Sequence, residues 1–126
     1  MDKIRVLLVD DEPSFTRMLK LNLEKRGYTV VVENNGAYAY TVAQDFLPDF
    51  IFLDVIMPDV DGGELTARLK SDPQLGAIPI IFLTAIVSKE FVSRHDSIIG
   101  GRPFLAKPVD ANELVRAVDQ VLRKAA

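Results

Sequence analysis

Several residue types are missing or scarce in this 126-residue chain, and each absence excludes a class of site. There is no cysteine, which excludes disulfides, thiolate catalysis and zinc–cysteine centres. The one histidine, His95, reads as a surface residue of a helix rather than a catalytic base. No apolar run approaches the roughly 20 residues that span a bilayer. No basic stripe offsets the net charge of −3, which disfavours nucleic-acid binding by this chain.

What remains is the composition of an ordinary single domain. Hydrophobic residues make up 48% of the chain, enough for a sizeable core, and charged residues 26%. The first residues, "MDKIRVLLVDDE", become acidic too early for a signal peptide. We therefore expect one domain over 1–126, soluble and cytoplasmic.

Short apolar runs alternate with amphipathic stretches along the chain. The predicted strands are 4–9, 28–33, 50–55, 78–85 and 104–106. Of five predicted helices, the first starts at Pro13 with an apolar face of Phe15, Met18, Leu19 and Leu23. The second has its apolar positions between Ala39 and Phe46, and the third ends at about Asp72. The fourth covers 88 to about 97, and the fifth follows the capping pair Asp110 and Glu113. This alternation predicts an α/β fold, with a doubly wound, five-stranded parallel sheet of order 2-1-3-4-5.

Polar residues follow these apolar strands at the points where the strands end. Asp10 and Asp11 end the first strand, Asp54 the third, Thr84 the fourth and Lys107 the fifth. The carboxyl ends of parallel strands meet at one edge of a sheet, where ligands bind in such folds. We therefore expect these five side chains to converge.

Their chemistry indicates phosphoryl transfer. Three adjacent carboxylates repel one another unless a hard cation such as Mg²⁺ binds between them. Lys107 adds a fixed positive charge and Thr84 a hydroxyl donor, both suited to a phosphoryl group. Asp54, on the central strand, is the natural nucleophile for an aspartyl-phosphate.

Simpler interpretations exist for the acidic residues taken singly. Asp54 could cap the turn at "MPDVDGG", since aspartate is common in turns. Asp10 or Asp11 could be the N-cap of the first helix. Glu12 is better explained by the helix dipole than as a metal ligand.

Four segments in order make the chain resemble the receiver domain of two-component response regulators. They are "LLVDDE" (7–12), "PDFIFLDVIMPDVDGGEL" (48–65), "IPIIFLTA" (78–85) and "FLAKP" (104–108). The resemblance covers the whole chain and implies a flavodoxin-like fold. It also implies a phosphorylation switch that is driven by a histidine kinase or phosphotransfer protein and is not a turnover enzyme.

The resemblance also assigns roles to single residues. Asp54 would be the phosphoacceptor, and Asp10, Asp11, Asp54 and the Ile56 carbonyl would hold Mg²⁺. Thr84 and Lys107 would bind the phosphoryl oxygens. Phe104 would turn inward when Thr84 moves, Pro108 would follow a cis peptide bond, and Gly62 would sit at a tight turn.

Output would pass through the predicted fourth helix, fifth strand and fifth helix to a downstream protein. Apolar residues at the start of that fourth helix, Ile86, Val87, Phe91 and Val92, favour a protein contact there, including self-association. Arg102 and Pro103 depart from the family pattern, as does the apolar pair 98–99.

Two isoleucines, Ile56 and Ile86, stand two residues beyond Asp54 and Thr84, where they would exclude water and slow self-dephosphorylation. Three other functions compete with a phosphorylation switch. A receiver-like interaction module that is never phosphorylated is the main alternative. A phosphatase would need a second carboxylate near 56, and a flavin-binding protein would need a phosphate loop in place of "DDEP".

Overall fold

The computed structural model describes residues 3–58, 60–85, 98–99 and 102–125. Its strands are β1 Arg5–Val9, β2 Thr29–Glu33, β3 Phe50–Asp54, β4 Ile56–Met57, β5 Val60–Asp61, β6 Ile80–Thr84, β7 Ile98–Ile99 and β8 Arg102–Ala106. Its α-helices are α1 Pro13–Lys25, α2 Ala39–Phe46, α3 Gly62–Ser71 and α4 Ala111–Ala125, and a 3₁₀ turn, Gly36–Tyr38, precedes α2. The predicted helix over 88 to about 97 and His95 lie outside the described residues.

The main sheet has the predicted order. Its strands run β2-β1-β3-β6-β8-β7, and the first five are parallel. These five are the predicted 2-1-3-4-5 sheet, so the doubly wound, flavodoxin-like fold is confirmed. The apolar strands explain why: β3 and β6 are buried along their whole length, as expected of parallel strands covered on both faces.

Apart from shifts of one or two residues at the ends of strands and helices, three details differ from the sequence prediction. The last parallel strand starts at Arg102 rather than 104, because 98–99 form a short antiparallel strand, β7, that pairs with 102–103. The segment after Asp54 is more than a turn, since β4 and β5 pair as a two-residue ladder. Met18 is 46% exposed, so it does not belong to the buried face of α1, which is formed by Leu19 and Leu23.

Two apolar cores lie on opposite faces of the sheet, and β3 contributes to both. Phe50 and Phe52 join the core beneath α1 and α4, whereas Ile51 and Leu53 join the core beneath α2 and α3. This alternation follows from the two-residue period of a strand. Asp54 therefore ends a strand that is fixed from both sides.

Local signals end and start the helices. Gly27 follows α1 with φ +94°, a conformation that glycine adopts without strain. Asp61 caps α3 by accepting hydrogen bonds from the N–H groups of Gly63 and Glu64. Asp110 and Glu113 form the predicted reciprocal capping pair at the start of α4. Among the described residues, none of the helices has the length and apolar character to span a bilayer.

Candidate functional site

The predicted polar residues meet at the carboxyl edge of the sheet. Asp10 follows β1, Asp54 ends β3, Thr84 ends β6 and Lys107 follows β8. Asp10, Asp54 and Thr84 are buried. The backbone N–H of Lys107 donates to the Thr84 carbonyl at 2.7 Å, which extends the β6–β8 pairing to the site. The sheet topology thus brings distant parts of the sequence to one place.

The ammonium group of Lys107 lies among three carboxylates. Its Nζ is 2.6 Å from Asp10 Oδ2, 3.0 Å from Glu12 Oε1 and 3.2 Å from Asp54 Oδ2. It also lies 5.0 Å from the centre of the Phe15 ring, within range of a cation–π contact. Only 9% of the Lys107 side chain is exposed, so its charge is compensated by these neighbours more than by water.

Burial and charge shift the pKa values of this group of residues. Burial raises the pKa values of Asp10 and Asp54, although Lys107 and backbone N–H groups oppose the shift. Burial alone would lower the pKa of Lys107, but the close contacts of its ammonium group with Asp10 and Glu12 and the charges of Asp10 and Asp54 raise it above its usual range. Lys107 therefore stays positive at neutral pH, while each further negative charge in the site is costly.

The two oxygens of Asp54 have different partners. Oδ1 accepts a hydrogen bond from the Ile56 N–H at 3.1 Å, and Oδ2 contacts Lys107. The first contact is the turn-capping contact that aspartate commonly makes in loops. Asp54 therefore does cap the turn, as its simpler interpretation predicts, but only one of its two oxygens takes part in that contact. The other oxygen belongs to the charged cluster.

The acidic loop after β1 suits a divalent cation. Carboxylate oxygens of Asp10, Asp11 and Glu12 all lie within 4.8 Å of one another. Asp10 Oδ2 is buried, and it lies 2.6 Å from Lys107 Nζ as an ion pair. Among the described atoms, none forms a well-aligned hydrogen bond with this oxygen. Oxygen ligands of this kind match Mg²⁺, which takes one or two carboxylates and keeps several waters. The donor set therefore fits the ion that the sequence predicts.

The prediction for Glu12 needs correction. The sequence favours a helix-dipole role, but Glu12 is the N-cap residue of α1 without a side-chain capping bond, and its carboxylate lies on Lys107 instead. Asp10 and Asp11 are not the N-cap either. Asp10 Oδ1 accepts from the Glu12 N–H at 3.0 Å within the loop itself. Sequence position alone could not predict the contact of Glu12 with a lysine 95 residues away.

Other predicted residues lie around this cluster. Phe104 is half-buried on β8 and stacks on Phe82, with ring centres 5.1 Å apart. The peptide bond between Lys107 and Pro108 is cis, the isomer that the resemblance implies. A Cβ on Gly62 would lie 3.1 Å from the Val55 carbonyl, so this turn favours glycine. The side chain of Ile56 is half exposed beside Asp54, while its carbonyl remains only a predicted metal ligand.

The predicted protein-contact residues Ile86, Val87, Phe91 and Val92 lie outside the described residues. Asn34 is a site residue that the sequence does not indicate, because "NNG" (34–36) is typical of a break between a strand and a helix. Its side chain reaches the backbone of Asp10.

Comparison with known proteins agrees with this geometry. Residues 6–119 match the family model of the response regulator receiver domain. This chain belongs to that family. PilH of Pseudomonas aeruginosa is 34% identical over 94% of this chain and 97% of its own length. RpaA of a Synechocystis species, a DNA-binding transcriptional regulator, is also 34% identical, but this receiver domain spans only about half of it (49%).

Solved structures resemble this receiver domain closely. A response regulator from Desulfuromonas acetoxidans superposes with a TM-score of 0.81 at 28% identity, over 98% of this chain and 99% of the other. The chemotaxis response regulator CheY4 of Vibrio cholerae gives 0.78 at 30% identity, over 94% and 98%. Receiver domains of response regulators are phosphorylation-type signalling switches that work with histidine kinases and downstream effectors, and they generally bind Mg²⁺ at an acidic site.

Proposed function

We propose that this receiver domain is switched by phosphorylation of Asp54, with Mg²⁺ as cofactor and a histidine kinase or phosphotransfer protein as donor. The observation that carries the proposal is the environment of Asp54. Its carboxylate lies buried at the end of a fixed central strand, with one oxygen held by a backbone N–H and the other beside an ammonium group. An oriented, partly desolvated carboxylate next to a cation is suited to nucleophilic attack on phosphorus.

In the proposed reaction, an Asp54 oxygen forms a bond to phosphorus while the donor's bond to phosphorus breaks. The leaving group, an imidazole or an acetate, departs with the electron pair of that bond, and the imidazole takes up a proton. Asp10, Asp11, Asp54 and the Ile56 carbonyl would hold Mg²⁺, which would neutralise the phosphoryl oxygens when bound. Lys107, already 3.2 Å from Asp54, would pair with the same oxygens.

The phosphoryl group would then change the output surface. Thr84 ends the strand next to β3, and its register partner on β8 is Ala106, two residues from Phe104. A hydroxyl drawn toward a phosphoryl oxygen would leave space that Phe104 fills from its half-buried position. The predicted output surface, to which β8 and α4 belong, would thus favour a second state, in which a downstream protein or a second copy binds.

We further propose that this domain is not a turnover enzyme and that it loses its phosphoryl group slowly. The half-exposed Ile56 side chain stands two residues beyond Asp54 and offers no group that could orient water. Of the described carboxylates near Asp54, those of Asp10 and Glu12 are paired with Lys107, and that of Asp11 is a proposed Mg²⁺ ligand.

Mass measurement after incubation with Mg²⁺ and acetyl phosphate tests the proposal. We expect a gain of one phosphoryl group in the parent chain and in Asp45→Asn, an exposed aspartate on α2, but not in Asp54→Asn. An adduct that persists in Asp54→Asn would refute the assignment. No adduct in any chain would favour the interaction module that is never phosphorylated, and repeated release of free phosphate would favour the phosphatase.

A further inference from the structure

The side chain of Asn34 joins the loop after β2 to the acidic loop after β1. Its amide nitrogen donates to the backbone carbonyl of Asp10 at 2.7 Å and to the hydroxyl of Thr16 at 3.0 Å. A carbonyl can only accept hydrogen bonds, so the nitrogen of the amide, and not its oxygen, must face Asp10. These contacts need an amide at position 34, because an aspartate there would face the carbonyl with oxygen.

Thr16 carries the connection into helix α1. It is buried, and its hydroxyl lies 3.1 Å from the Pro13 carbonyl and 3.3 Å from the Glu12 carbonyl. The hydroxyl can therefore donate to the first turn of the helix while it accepts from Asn34. Because α1 has no side-chain capping bond at its N-cap, this buried contact supplies a restraint that the local sequence does not.

The acidic loop is thus held at both ends. The Asp10 N–H donates to the Glu33 carbonyl at 3.2 Å, and the Asp10 carbonyl accepts from Asn34. Asp11 and Glu12 lie between this fixed backbone and the helix turn that Thr16 holds. The directions in which these carboxylates project depend on the backbone between the two restraints.

We propose that Asn34, acting through Thr16 and the Asp10 carbonyl, is a positioning residue for the Mg²⁺ site. It fixes the backbone from which Asp10 and Asp11 present their oxygens, and it does not touch the metal. This inference rests on the proposed function for the presence of Mg²⁺, whereas the hydrogen bonds that carry it are independent of that function.

The adjacent residue provides a matched control. The Asn35 side chain also forms a hydrogen bond, but a local one in which its Oδ1 accepts from the Ala37 N–H at 2.9 Å, and it caps the short 3₁₀ turn. Asn34→Ala should raise the Mg²⁺ dissociation constant roughly tenfold in calorimetric titration, the lower range seen when outer-shell partners are removed. Asn35→Ala should bind Mg²⁺ like the parent. Without metal, amide hydrogen exchange over 10–16 should quicken in Asn34→Ala only.

Variants of Thr16 test the same path if Asn34→Ala does not fold. Thr16→Ser keeps the hydroxyl and should keep the parent affinity, whereas Thr16→Val keeps the shape, loses the hydroxyl and should bind Mg²⁺ more weakly. Parent-like affinity in both Asn34→Ala and Thr16→Val would overturn the positioning role and leave the proposed function intact. An equal loss in Asn34→Ala and Asn35→Ala would also overturn it, since the effect would then be general. A parent chain that binds no Mg²⁺ would instead refute the metal in the proposed function, and the positioning role with it.

Discussion

Replacing Lys107 with methionine should destabilise the metal-free protein at neutral pH through the loss of charge. Methionine retains most of the apolar stem, but it removes the ammonium group that lies over the Phe15 ring and compensates the carboxylates. Asp10 and Asp54 then remain as buried carboxylates that have lost their lysine partner. These carboxylates must either stay charged without compensation, which lowers the free energy of unfolding, or take up protons.

The geometry sets the size of the loss. Removing one partner of a buried ion pair costs roughly 3–5 kcal/mol, because the other charge stays buried without compensation. The pairs with Asp10 and Asp54 are of this kind, since both carboxyl side chains are at least 95% buried. The pair with Glu12, whose side chain is 58% exposed, should add less than about 1 kcal/mol. We expect a fall of about 3 kcal/mol in the free energy of unfolding at pH 7, the lower end of that range, because protonation relieves part of the cost.

The loss should depend on pH in a defined direction. The folded-state pKa values of Asp10 and Asp54 are already raised by burial, so each carboxyl contributes stability below its usual pKa that is lost as pH rises through the folded value. Without Lys107 both pKa values rise further. The difference between variant and parent should therefore grow from about pH 5 to pH 7. In the parent, the raised pKa of Lys107 keeps its own contribution fully present below 10.5.

Urea denaturation at the two pH values, with a chelator or with millimolar Mg²⁺, measures these effects. Lys20→Met is the control, since Lys20 pairs with Glu24 at 2.8 Å on the exposed side of α1 and should cost less than about 1 kcal/mol. Mg²⁺ should recover part of the loss in Lys107→Met and leave the control unchanged. An equal loss at both pH values, with and without Mg²⁺, would mean that Lys107 acts by packing, and the charge argument would be wrong.

Two further predictions concern the loop after β3. Gly36→Ala would place a Cβ 2.8 Å from Val60 Cγ2 and 2.9 Å from Met57 Cε. This crowding should lower the free energy of unfolding by about 1–3 kcal/mol. An unchanged urea midpoint would show that the β4–β5 ladder moves without a cost in stability. Ile56→Asn should speed phosphate loss from Asp54 several-fold by giving water a polar partner, as followed by mass over time. A rate equal to the parent's would contradict the proposed role of Ile56.

The sheet could be predicted from the sequence because its signal is local and strong. Each parallel strand is a short apolar run. Because both faces are buried, polar residues do not alternate with apolar ones along it, and the run is easy to recognise in the sequence. Once the strands are assigned, parallel topology places Asp10, Asp54 and Lys107 at one edge without further information. The two-residue strands β4 and β7 could not be predicted, since pairs this short depend on their partners more than on their own residues.

The finer contacts of the site depend on residues that are far apart in sequence. Asn34 looks like a turn residue, and only the packing of β2 beside β1 brings its amide to Asp10, 24 residues away. Glu12 looks like a first-turn acid until Lys107 is placed beside it. Met18 fits the helical period of α1, yet it lies at the margin of the buried stripe. Its neighbour Leu19 is fully buried, whereas Met18 is 46% exposed.

The alternation of β3 between two cores has a consequence for how Asp54 is held. Phe52 anchors the strand to one layer of helices and Leu53 to the other, so a shift toward either layer would be resisted by close packing on the opposite side. The carboxylate behaves as the fixed reference point of the molecule, against which more loosely packed side chains at the rim can move. A cavity opened in either core would displace the Asp54 carboxylate, so the geometry of the site depends on close packing on both faces of the sheet.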